Sequence, residues 1–356
     1  MQLQPLEGSS INTILIRATN WVGDAVMTLP ALEAVSESFP SAKITVIARP
    51  WVAPLFENHP AISDVMVFQK HESFIKDISE IRSLVESIKE KQFDLAILFQ
   101  NAFEAAIIAY LGGVKNRVGF DSDGRGILLT HPIKRTNEIF KVHQVEYYLS
   151  IIKALGFKAE SRNPVIYISE NNFNRADNIL KQNGINNDDF VLGFAPGAIF
   201  GNAKKWPPER FAEIGDIAAQ RWGAKTIIVG SKKEKYIGTV VSNLMIHTPV
   251  DFCGITSLEE AIAIISRCNF FVSNDSGLMH VAAALGVPTL AIFGSTDHIA
   301  TGPRGPKTRI VKHDIDCAPC LKQECPTDFK CMLSITPEQV WQEMEQFRSA
   351  CENISE

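Results

Sequence analysis

Short apolar runs alternate with longer stretches of helical period along nearly the whole chain, and no other feature narrows the possible folds so far. Runs at 13–17, 43–48, 65–68 and 93–99 read as strands, with helices over about 23–38 and 74–89 between them. A short strand at 117–120 and a helix at 145–155, ended by Gly156, follow. The alternation restarts after a polar connection around 161–164 and a helix near 173–182. Strands are expected at 190–195, 225–229, 270–273 and 289–293, with helices starting near Pro208, Lys233, Ser257 and Ser276 and a last helix from Pro337 to about 350. Strands separated by crossover helices form parallel sheets covered on both faces. The expectation is two Rossmann-like doubly wound α/β domains, 1–165 and 166–335, with 336–356 as a terminal helix packing back on the first domain. Open sheets of this kind bind ligands at the carboxyl ends of their strands, so the loops after strands should carry the function.

A length of 356 residues accommodates two such domains, and the net charge of -5 disfavours nucleic acid as a partner. Residues 1–10 have neither a basic nor an apolar leader segment, which predicts a cytoplasmic protein. The apolar stretch 93–111 is interrupted by Gln100, Asn101 and Glu104 and reads as a buried strand and helix rather than a membrane span. Dinucleotide (G-x-G-x-x-G), P-loop (G-x-x-x-x-G-K-[ST]), zincin and nucleophile-elbow motifs do not occur, which removes the main support for dehydrogenase, P-loop kinase, metalloprotease and α/β-hydrolase chemistry.

Three loops remain. Asn274, Asp275, Ser276 and Gly277 carry a strand into a helix; free backbone N–H groups and the helix dipole there suit a diphosphate, with His280 one turn on. The same residues also read as a simple helix cap with a core histidine. In the loop 195–209, Lys204 and Lys205 lie beside Trp206 and could neutralise a leaving diphosphate, or form an exposed lysine pair. In the loop 17–30, Asp24 beside Gly23 is either a helix cap or a general base that takes a proton from a sugar hydroxyl. Basic residues from Lys115 to His143, including Arg125, would suit an anionic acceptor or a solvated face. The Asp121-Ser-Asp123 run lies in a glycine-rich turn and is read as turn chemistry rather than a metal site.

Seven cysteines, an odd number without an export signal, argue against a disulfide framework. Cys317, Cys320, Cys325 and Cys331 fall within fifteen residues and could hold a structural metal, but the spacing is not two clean C-x2-C pairs. A structural metal there is the less favoured reading, and no catalytic metal is expected.

With the segments 20–27 and 29–31, the loop from Pro196 to Pro207 and the run from Ser273 to His280, the chain resembles the ADP-heptose:lipopolysaccharide heptosyltransferases, glycosyltransferase family 9 of the GT-B fold, over nearly its whole length. The resemblance implies two domains facing a central cleft and an inverting transfer with no required cofactor, magnesium serving at most as a stimulant. It implies Asp24 as general base, Lys204 as the lysine that steadies ADP, and Gly197, Glu234, Thr256, Asp275, Ser276, Gly277 and His280 as donor contacts. Asn20, Gly23, Arg125 and His143 would contact the acceptor. The partners implied are ADP-heptose and a lipopolysaccharide inner core at the cytoplasmic membrane face, where the protein would sit peripherally. The Ala-x-Phe-Gly run and the cysteine tail favour the branch that acts on heptosyl-Kdo2-lipid A. Another GT-B transferase and a non-catalytic nucleotide-sugar-binding protein are the competing readings.

Overall fold

Two six-stranded parallel sheets organise the computed structural model, which describes residues 11–70 and 74–354. Residues 1–10, read as carrying no leader, lie outside the described residues. The chain divides into two compact units, Met1–Tyr167 and Ile168–Glu356.

In the first unit the strands are β1 (Thr13–Arg17), β2 (Lys43–Ala48), β3 (Asp64–Val67), β4 (Leu95–Leu98), β5 (Asn116–Phe120) and β6 (His131–Ile133). Their order is β3-β2-β1-β4-β5-β6, all parallel, with Ile14 opposite both Ile44 and Leu95. The direction in which successive strands are added reverses between β1 and β4, the place where such sheets leave a crevice at their carboxyl ends. β1 and β4 read as unbroken apolar runs because helices cover both of their faces, and their side chains are almost wholly buried.

The second unit repeats the plan with β7 (Val191–Ala195), β8 (Lys225–Ile228), β9 (Val250–Asp251), β10 (Phe270–Asn274), β11 (Thr289–Ile292) and β12 (Thr308–Val311), ordered β12-β11-β10-β7-β8-β9. Its crevice lies between β7 and β10. Sequence periodicity missed β6, β9 and β12, which are two to four residues long and lie at or beside sheet edges. Strands so short carry too few alternations to stand out, and pairing with an already formed neighbour is what makes them strands.

The last helix, Pro337–Ile354, buries its apolar side in the core of the second unit: Trp341 lies 4.6 Å from Trp222 and Phe347 lies 5.7 Å from Phe270, ring centre to ring centre. It is therefore part of that unit, not a separate appendage. No helix among the described residues is long and apolar enough to cross a membrane.

Candidate active site

At the crevice of the second unit, β10 ends in Asn274 and the next helix begins at Gly277 with Ser276 as its cap, the Ser276 hydroxyl accepting from the Met279 N–H at 3.4 Å. Ser276 Oγ also lies 3.0 Å from Ser273 Oγ. Asp275 is not the cap. Its Oδ2 accepts from Lys204 Nζ at 2.6 Å and from the Thr296 hydroxyl at 2.6 Å, tying together the loops that follow β7, β10 and β11. The lysine is 13% exposed and the aspartate 6%, so the pair sits at the edge of solvent. Lys204 Nζ also stands 4.7 Å over the Phe200 ring.

Asn274, which is fully buried, fixes the lysine loop at both ends: its amide donates to the Pro196 carbonyl at 2.7 Å and its oxygen accepts from the Trp206 N–H at 3.1 Å. Trp206, also fully buried, donates its indole N–H to the Ile335 carbonyl at 2.9 Å and packs on Phe211. Lysine 205 instead reaches Asn202 Oδ1 within its own loop, at 2.8 Å.

The loop after β8 meets the same loop. Glu234 Oε2 accepts from the Ser231 N–H at 2.8 Å and hydroxyl at 2.7 Å, while a side-chain carbon built on Gly197 would come within 2.1 Å of Glu234 Oε1. Any larger residue there would push the Glu234 side chain out of this position. Thr256 follows β9, half-buried, with its hydroxyl 3.4 Å from the Phe252 carbonyl; His280 is buried in the helix that Ser276 caps. The donor residues named from the sequence thus all belong to this unit, on the loops after β7 to β10 or the helix that follows β10.

The cysteine-rich tail packs beside this site. Gln323 O accepts from the Ala203 N–H at 3.0 Å, and the Leu321 N–H donates to Ser295 O at 2.7 Å. The Cys331 thiol is pushed up by burial and then by the neighbouring Cys317, Cys325 and Cys320. Among the described residues no group of three or more His, Cys, Asp or Glu is arranged to hold a metal ion.

In the first unit, the helix Val22–Ser38 starts after Trp21, which makes no side-chain cap. Asp24 therefore sits at the third helical position, not at the cap, half-buried in the first turn. Its negative charge helps to raise the buried Tyr148 phenol, after burial itself, so the carboxylate lies near the helix Gln144–Ala154. Asn20 precedes that turn: its Oδ1 accepts from Arg17 Nη2 at 3.1 Å and its carbonyl accepts from the Trp51 indole N–H at 2.7 Å. Gly23, half-buried, follows in the same turn.

Arg125 and His143 differ from the expected acceptor contacts in what occupies them. Arg125 is fully buried, and its guanidinium donates to the carbonyls of Phe120, Gln100 and Leu98 and to Asn101 Oδ1. Burial lowers it to about 10. His143 caps the helix Gln144–Ala154, its Nδ1 accepting from the Val145 N–H at 3.1 Å. Arg125 thus braces the loops after β4 and β5, and His143 caps a helix. Sequence reading named neither Thr296 nor Trp51, and it took Asn274 only as a helix starter. The first two are distant in sequence from the motifs they serve, and nothing local marks them.

The family model for glycosyltransferase family 9 (heptosyltransferase) matches residues 81–330. Lipopolysaccharide heptosyltransferase 2 of Escherichia coli K12 is 28% identical, over 93% of this chain and 97% of its own length. Lipooligosaccharide heptosyltransferase 2 of Haemophilus ducreyi is 30% identical, over 94% of this chain and 98% of its own. The solved structure of E. coli ADP-heptose LPS heptosyltransferase II superposes with a TM-score of 0.81 at 26% identity, over 96% of this chain and 99% of that one. Two Rossmann-type sheets of the GT-B kind, a lysine held at a capped helix start and these likenesses agree: the chain belongs to glycosyltransferase family 9, the heptosyltransferases.

Proposed function

We propose that this glycosyltransferase moves L-glycero-D-manno-heptose from ADP-heptose onto the heptosyl-Kdo2-lipid A inner core of lipopolysaccharide, with inversion. The observation that carries the reading is Lys204 held 2.6 Å from Asp275 at the start of the Ser276-capped helix. A cation and a ring of backbone N–H groups at one helix start suit a diphosphate leaving group. The heptosyltransferase 2 relatives, alike over nearly their full length, support the sugar and the acceptor.

In this scheme the acceptor hydroxyl oxygen attacks the anomeric carbon as the bond from that carbon to the β-phosphate oxygen breaks. ADP departs with the electron pair, and the hydroxyl proton passes to the Asp24 carboxylate. Lys204, Ser276, Gly277 and His280 stabilise the negative charge gathering on ADP, so no divalent metal is required. Gly197, Glu234 and Thr256 shape the nucleotide-sugar side, and Asn20 and Gly23 the acceptor side. Because the acceptor is a lipid, the reaction takes place at the cytoplasmic membrane face.

The test is transfer by the purified protein from ADP-heptose to defined inner-core acceptors, read by mass. One added heptose on the heptosyl-Kdo2 acceptor supports the reading; addition only to another acceptor, or none, contradicts it. A rate in excess EDTA close to that with magnesium is expected, and complete loss would overturn the metal-free scheme.

A further inference from the structure

Trp51 stands in the turn after β2 and is 50% exposed, yet its ring is not free to swing, because its indole N–H donates to the Asn20 carbonyl at 2.7 Å. A scattered exposed tryptophan carries no message. One pinned at its polar tip, with its apolar face left outward, has already lost much of the freedom that binding would otherwise remove.

Asn20 is fixed at its other end as well. Arginine has only donors, so Arg17 Nη2, at 3.1 Å, holds the amide oxygen toward itself and turns the amide N–H2 away. Trp21, the next residue, is 62% exposed, and its carbonyl accepts from the Ala25 N–H at 2.8 Å in the turn that contains Asp24. An exposed aromatic face, an oriented pair of amide donors and a carboxylate therefore follow one another along the ends of β1 and β2, which pair side by side. A pyranose offers the matching chemistry: one face of C–H groups and a rim of hydroxyls.

We propose that Trp51 is an acceptor-binding residue whose ring packs on the C–H face of the sugar that receives the transferred unit, while the Asn20 amide donates to one of its hydroxyls. The proposal rests on the heptosyl-transfer reading and adds to it the residue that recognises the acceptor sugar.

Steady-state transfer to a soluble, deacylated inner-core acceptor, with calorimetric ADP binding as a check on the fold, tests it in Trp51→Leu and Trp51→Phe. The acceptor KM should rise about 10- to 100-fold in Trp51→Leu, the usual scale for truncating an anchoring aromatic. Turnover and ADP affinity should change by less than about threefold, and Trp51→Phe, which keeps a ring, should recover most of the acceptor KM. An unchanged acceptor KM in Trp51→Leu with ADP affinity retained overturns the proposal. Failure of the wild-type protein to transfer heptose to that acceptor overturns the functional reading on which it rests.

Discussion

The two units share one strand order but treat the loops after their strands in opposite ways. In the second, Asn274, Asp275, Thr296 and Lys204 bind three loops to each other, and the tryptophan of the lysine loop, Trp206, is wholly buried. In the first, Trp21 and Trp51 lie open, and the deep cations Arg17 and Arg125 are occupied by backbone carbonyls and amide oxygens. A nucleotide diphosphate is a compact, constant anion, and a site tied in advance suits it. An oligosaccharide is broad and amphipathic, and exposed rings with a few fixed donors suit that.

If the second unit's loops are tied as one network, removing its anchor should have the largest effect. Trp206→Ala should destabilise the protein by about 3–5 kcal/mol, read as a lower urea midpoint at unchanged slope. A loss below about 1 kcal/mol would mean the loop repacks freely. Lys204→Met should cut turnover roughly 10²- to 10³-fold, the range for losing one oriented charge stabiliser, and should weaken ADP binding. Turnover within tenfold of wild type would show that the lysine only partners Asp275. Asn274→Ala breaks both loop ties and should cost about 1–3 kcal/mol, with the ADP affinity falling while the KM for acceptor stays put. Equal loss on both sides would erase the contrast between the units.

A more gradual effect is a pH dependence from one histidine of the first unit. Burial holds the His59 imidazole down at about 4, and its Nδ1 accepts from the Ala61 N–H at 3.2 Å. The unfolded chain thus binds a proton that the folded chain refuses between the ordinary value near 6.5 and about 4. Stability is fully present above that window and declines as pH falls through it, by at most about 1.4 kcal/mol per pH unit. Glu33, raised by burial and 3.9 Å from His59 Nε2, binds its proton more readily when folded and opposes the decline at the lower end. His59→Asn should flatten the profile between pH 5 and 7; an unaltered slope would assign it to other groups.

Much of this was legible from the residues. Buried strands such as 191–195 and 270–274 announce themselves as apolar runs, and the Asn274 to Gly277 start reads directly as a strand entering a helix. The edge strands β6, β9 and β12 do not, since pairing rather than pattern creates them. The placement of Asp24 differs by a turn geometry that sequence cannot resolve: the helix begins at Val22 after Trp21, which puts Asp24 at its third position rather than at the cap. Arg125 lay among other basic residues and suggested an anion, whereas its 0% exposure and four acceptors reveal a brace. Thr296 and Trp51 act across 21 and 31 positions of chain, distances over which no local pattern reports.

The division of labour between the units can be read from one variant. In Asp24→Asn, ADP affinity by calorimetry and heptose transfer by mass are measured on the same preparation. General-base loss predicts transfer reduced about 10²- to 10⁴-fold with ADP affinity within about twofold of wild type. Transfer that persists near the wild-type rate, or an ADP affinity that collapses with it, would contradict the account.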